Sequence, residues 1–89
     1  MIERKVTIIN RLGLHARAAA KLVDCAARFS SRIDLLKQDH GVDAKSIMSV
    51  MMLAAGQGTE LTLRISGEDE QAALEALVWL INDRFGEPD

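Results

Sequence analysis

The chain has 89 residues, enough for one domain of ordinary size. It sets 11 lysines and arginines against 13 aspartates and glutamates for a formal net charge of −2, without the basic excess that a nucleic-acid or anionic-membrane surface needs. A hydrophobic share of 48% excludes an intrinsically disordered chain, and three aromatics (Phe29, Trp79 and Phe85) leave an aliphatic core and little for base stacking.

Residues 2–9 alternate, with Arg4, Val6 and Ile8 on one side, and predict a strand whose Val6 and Ile8 face the core. Asn10-Arg11-Leu12-Gly13 breaks the pattern with a glycine turn. A helix follows from about Ala16 to Phe29, with Ala19, Leu22, Val23, Ala26 and Phe29 on the apolar face and Arg17, Lys21, Asp24 and Arg28 opposite. Arg32 to Lys37 reads as a strand with Ile33 and Leu35 inward. Asp39-His40-Gly41 reads as a turn and Val42 to Ala44 as its returning partner. Ser46 is a natural N-cap for a short helix from Ile47 to about Leu53.

Gly56-Gln57-Gly58 is a loop without the lysine and hydroxyl of a phosphate loop. Thr59 to Ser66 alternates as the last strand, with Leu61, Leu63 and Ile65 inward. Gly67-Glu68-Asp69-Glu70 opens a final helix that should run to about Phe85 before Gly86 and Pro88 stop it, burying Ala73, Leu74, Leu77, Val78 and Ile81. The order β-α-β-β-α-β-α predicts a four-stranded sheet with three helices on one face. Residues 1–89 read as one domain.

Cys25 has no partner for an internal disulfide, and no Cys/His cluster has metal-ligand spacing, so neither metal nor cofactor is expected. The longest apolar stretch, Leu77 to Ile81, is far short of the roughly 20 residues of a membrane helix, and no secretion signal opens the chain. A cytoplasmic monomer is the expectation, touching neither membrane nor nucleic acid.

The informative stretch is Gly13-Leu14-His15-Ala16-Arg17-Ala18-Ala19. His15 lies between a glycine turn and the first turn of a helix, where backbone N–H groups lack helical partners and the dipole adds partial positive charge. That is the backbone of an anion site, cradled by Ala16 and Arg17, and the Arg17 guanidinium can reach the same place. A histidine before a helix is by default a cap or surface residue. Arginine in a first turn, however, opposes the dipole and is unexpected as decoration. A neutral imidazole nitrogen is a nucleophile. These parts suit a histidine that takes a phosphoryl group and holds it against helix amides and one arginine. On the short helix, Val50 and Leu53 serve the core and leave Ile47, Met48 and Met51 as a candidate docking patch. His40 reads as a solvated turn residue, Cys25 as an unactivated thiol, and Trp79 as either exposed or covering a sheet edge.

The stretch from Gly13 to Ala19 closely resembles the phosphohistidine motif of the HPr family, phosphocarriers of the bacterial phosphoenolpyruvate-dependent phosphotransferase system. The likeness continues through Ala44-Lys45-Ser46-Ile47-Met48-Ser49-Val50-Met51, through Gly58-Thr59-Glu60-Leu61 and through Gly67-Glu68-Asp69-Glu70. It covers essentially the whole chain and implies an α+β fold, an HPr-like open-faced β-sandwich with a four-stranded antiparallel sheet and three helices on one face. His15 would accept a phosphoryl group on its δ1 nitrogen from a phosphohistidine of enzyme I and pass it to a histidine of an enzyme IIA. Arg17 would steady the phosphate and the docked partner. Ser46 would match a serine that a dedicated HPr kinase phosphorylates in some members. Many members have proline where this chain has Ala18, which should loosen the helix start slightly.

The carrier would not itself be an enzyme, since its partners complete the transition-state environment. Leu80-Ile81-Asn82-Asp83-Arg84-Phe85-Gly86-Glu87 is similar to the nitrogen-related branch (NPr), while Ala44-Lys45-Ser46 is closer to the sugar-transport branch. The nitrogen-related branch is favoured. The rival reading is a small βαββαβ ligand-sensing or regulatory module without phosphotransfer, because one architecture hosts many functions.

Overall fold

A computed structural model describes residues 1–88. In chain order the elements are β1 (Ile2–Thr7), α1 (Ala16–Ala27), β2 (Arg32–Lys37), β3 (His40–Asp43), α2 (Ile47–Met52), β4 (Glu60–Ser66) and α3 (Glu70–Asn82), followed by a 3-10 turn at Arg84–Gly86. The strands form one antiparallel sheet in the order β1-β4-β2-β3.

The alternation seen in the sequence decides which face the helices cover. Val6 pairs with Leu61, Ile33 with Ile65 and Leu35 with Leu63, so core-facing side chains form rows across the sheet, and all six are buried. The alternate residues face water, where Glu3 accepts a hydrogen bond from its cross-strand partner Arg64 at 2.7 Å. Leu22 of α1, Val50 of α2, and Leu74, Leu77 and Ile81 of α3 close the core from one side. This is the α+β open-faced sandwich that the resemblance implies, with its helices on one face as the element order predicts.

Several boundaries differ from the sequence reading. β1 ends at Thr7, although buried Ile8 continues the pairing into the following loop by donating to Thr59 at 3.0 Å and accepting from Gly58 at 2.7 Å. α1 ends at Ala27 rather than Phe29, because the amides of Arg28 and Phe29 tighten onto the carbonyls of Cys25 and Ala26. Cys25 turns inward with Ala18, while Val23 and Phe29 are only half-buried. The turn between β2 and β3 is Gln38-Asp39, with Gln38 at φ 56°; His40 is therefore an exposed first residue of β3, paired with Lys37, and not a turn residue. β4 begins at Glu60 rather than Thr59.

The largest departure is at the end. α3 stops at Asn82 instead of continuing to Phe85, and Arg84, Phe85 and Gly86 follow at φ 56°, 55° and 77°. Helical periodicity cannot foresee this, since the left-handed turn is imposed by where Phe85 goes: it is the largest fully buried side chain in the molecule. Trp79, on α3, is 66% exposed, and Val78 is half-buried. No helix among the described residues is long and apolar enough to cross a membrane.

Candidate functional site

The loop before α1 is built by Asn10 and Gly13. The Gly13 amide donates to the Asn10 carbonyl at 3.1 Å, and the Asn10 side-chain Nδ2 donates to the Gly13 carbonyl at 2.8 Å, closing a tight turn with Asn10 fully buried beneath it. Gly13 sits at φ 67°, where a side chain is strained, and a Cβ there would lie 2.6 Å from the Ala55 carbonyl oxygen. Leu14 then donates its amide to that same Ala55 carbonyl at 2.8 Å, so the loop is fastened to the segment leaving α2. Only glycine permits both contacts.

His15 emerges from this turn as the N-cap of α1, in extended conformation, with its side chain about 30% exposed. Its carbonyl accepts the first helical bond, from the Ala19 amide at 2.8 Å. The amides of Ala16, Arg17 and Ala18 precede that bond and find no acceptor among the described residues. Arg17 is exposed and makes no ion pair among them. The His15 ring, three orphan donors and a free guanidinium are thus gathered at one helix end, with the Ala18 amide joining the Ala16 and Arg17 amides foreseen in the sequence.

Five residues at this site (Asn10, Arg11, Leu12, Glu87 and Pro88) escaped the sequence reading. Glu87 folds back so that its Oε2 meets His15 Nε2, while its Oε1 accepts from Asn10 Nδ2 at 2.9 Å. Burial pushes the Glu87 carboxyl up, but the hydrogen bonds from Asn10 and His15 and the charges of His15 and Lys21 outweigh it and hold the group below its ordinary value. Arg11 and Leu12 join His15, Arg17, Glu87 and Pro88 around an open cleft of about 310 Å³. Leu12 is exposed. Asn10, Arg11 and Leu12 lie in a stretch legible only as a turn, and the approach of Glu87 across 72 positions leaves no local signal.

Beside the cleft, α2 presents its apolar residues in two directions. Val50 and the following Leu53 are buried, whereas Met48 is 69% exposed and Ile47, Met51 and Met52 are also exposed. The candidate patch therefore includes Met52 as well as the three residues singled out from the sequence. Ser46 caps this helix, its Oγ accepting from the Ser49 amide at 3.4 Å. Cys25 is buried away from the site; burial pushes its thiol up, only partly countered by Arg28, so it is no activated nucleophile. No three His, Cys, Asp or Glu side chains among the described residues gather as a metal site.

Comparison with known proteins agrees with the geometry. The family described as the PTS HPr component phosphorylation site matches residues 2–83. A curated relative, the phosphocarrier protein HPr of Cupriavidus necator, is 56% identical over 87 residues, covering 98% of each chain. The crystal structure of HPr-C-His from Thermoanaerobacter tengcongensis superposes with a TM-score of 0.96 at 46% identity, covering 100% of both chains. An HPr dimer from the same organism gives 0.79 at 47% identity, covering 98% of this chain and 100% of that one.

Proposed function

The chain belongs to the HPr family, phosphocarriers of the phosphotransferase system that are not themselves enzymes, and from that premise we propose that His15 is the residue that carries the phosphoryl group. The supporting observation is the partly exposed His15 ring at a helix end whose first three amides are unpaired, with Arg17 beside it. With Nε2 engaged by Glu87, Nδ1 is the ring nitrogen left to act. Its lone pair attacks phosphorus on a phosphohistidine of enzyme I. The new P–N bond forms as the old one breaks, and the old bond's electrons return to the donor ring. The amides of Ala16 and Arg17 and the Arg17 guanidinium receive the phosphoryl oxygens. The same step in reverse hands the group to a histidine of an enzyme IIA.

Ile47, Met48 and Met51 form the face on which both partners dock, next to the loop that carries His15. Thioether side chains adapt to different surfaces. A carrier must leave as readily as it arrives, so each interface should bury roughly 1,200 Å² or less. Ser46, at the head of the same helix, is the position where an HPr kinase would set a phosphate beside the patch and block docking. The protein works as a cytoplasmic monomer. Its acceptor is the regulatory enzyme IIA of the nitrogen-related branch, a reading supported by the likeness of Leu80 to Glu87 to that branch.

The test is incubation with phosphoenolpyruvate and enzyme I. An acid-labile adduct that vanishes in His15→Ala, with folding unchanged, is expected; an adduct that persists in the variant overturns the assignment. Offering the phosphorylated protein to nitrogen-related and sugar-type enzyme IIA then decides the branch by relative rate.

A further inference from the structure

We infer that Glu87, locked in place by Asn10, is a positioning residue for the transfer, fixing the tautomer and orientation of His15 so that Nδ1 presents its lone pair to phosphorus. The inference rests on His15 being the acceptor. A carboxylate can only accept, so the His15 Nε2 that meets Glu87 Oε2 must carry the hydrogen. In a neutral imidazole the other nitrogen is then the bare one. The carboxylate cannot turn away easily, because its second oxygen is held by Asn10 Nδ2 at 2.9 Å, and that fully buried amide is itself pinned by the Gly13 carbonyl at 2.8 Å. One asparagine thus sets both the loop that carries the histidine and the tail that orients it.

The backbone is arranged to deliver Glu87. Two non-glycine residues, Arg84 and Phe85, adopt left-handed conformations ahead of Gly86, an arrangement L-residues avoid unless the surroundings compel it. The surroundings do compel it: the Phe85 ring is fully buried, and Lys21 Nζ donates to the Phe85 carbonyl at 2.6 Å. An α3 that ran straight on would carry the chain past the site; the strained turn brings Glu87 back to the ring.

The carboxylate also answers the charge that the reaction creates. When Nδ1 takes the phosphoryl group, Nε2 keeps its hydrogen and the ring becomes cationic. No proton has to leave, and Glu87 remains an acceptor on the face away from the phosphate. On release the P–N electrons return to Nδ1, restoring the same neutral tautomer for the next turn.

The test is Glu87→Ala in the full chain, with two readouts. At about pH 9, where imidazole is neutral, ¹⁵N–¹H correlation spectra of the wild type should show His15 as a single Nε2–H tautomer, and the variant should show a mixture with Nδ1–H. Phosphoryl acceptance from phosphorylated enzyme I should slow about tenfold, the factor carried by one charge-assisted hydrogen bond. An unchanged tautomer, or a rate within twofold of wild type, overturns the role of Glu87. Circular dichroism of the same sample checks folding, since a merely structural role would not move the tautomer. His15→Ala separates the two readings: an adduct surviving there removes the acceptor assignment, whereas an adduct lost there beside an unaltered Glu87→Ala removes only this inference.

Discussion

Single side chains in this protein act mainly by what they hold at a distance. Asp69 accepts from the amides of Ser30 and Ser31 at 2.8 and 2.9 Å and from the Ser31 hydroxyl, tying the end of α1 to the start of α3. The Ser31 hydroxyl, followed by the Ser30 amide, holds its carboxyl down at about 2, against an ordinary 3.8. A carboxyl lowered by folding stabilises the native state above its unfolded value, and that contribution is lost as pH falls through the folded one. The melting-temperature gap between wild type and Asp69→Asn should thus be full above about pH 4 and close as pH falls toward 2; a gap independent of pH would refute the assignment. In the variant one amide nitrogen would face a donor. Arg17 is the opposite case, exposed, with no ion pair among the described residues, and opposing the dipole at the head of α1. Arg17→Ala should leave stability within about 0.5 kcal/mol yet slow phosphoryl transfer, measured by rapid quench. Normal kinetics would remove its role.

At the scale of elements, two lysines serve helix ends. Lys45 Nζ donates to the Phe29 carbonyl at 2.7 Å beyond α1, and Lys37 Nζ donates to the Leu53 carbonyl at 3.0 Å beyond α2. Each places a cation at the negative end of a helix and satisfies an orphan acceptor. Within α2, Val50 is buried while Met48 is exposed, which gives a paired prediction. Val50→Ala removes two buried methyl groups and should cost about 2 kcal/mol in chemical denaturation. Met48→Glu, on the exposed side, should cost no more than about 0.5 kcal/mol while raising the protein concentration needed for half-maximal transfer. If Met48→Glu unfolds the protein and Val50→Ala does not, the two faces have been assigned the wrong way round.

Across the whole molecule, the cleft draws on the loop after β1, the start of α1 and the tail after α3. Phe85 couples these to the core, because its ring is sealed inside while its carbonyl is held by Lys21 of α1. Phe85→Ala should cost about 3–5 kcal/mol. Its folded fraction should also show the slowed acceptance expected of Glu87→Ala, since the slackened tail no longer presents the carboxylate. Stopped-flow transfer at a temperature where the variant is still native checks this; full-rate transfer there would mean the tail is irrelevant to the ring. The solvent face of the sheet, by contrast, carries charged pairs such as Arg64 with Glu3 and has no share in the cleft.

The sequence by itself determined the sheet, because Leu61, Leu63 and Ile65 alternate at the period of a strand, and it determined the turn and helix start around His15, because Gly13 and the residues after it act locally. It also separated Val50 from Met48, since helical spacing alone assigns their faces. Tertiary structure alone decided where α3 ends, that Trp79 is exposed, and that Glu87 and Asn10 meet at the histidine. Those outcomes follow from burying Phe85 and pairing groups 72 and 77 positions apart. Periodicity reports which face of an element is apolar. It carries no information about which distant donor and acceptor will be brought together once those faces close.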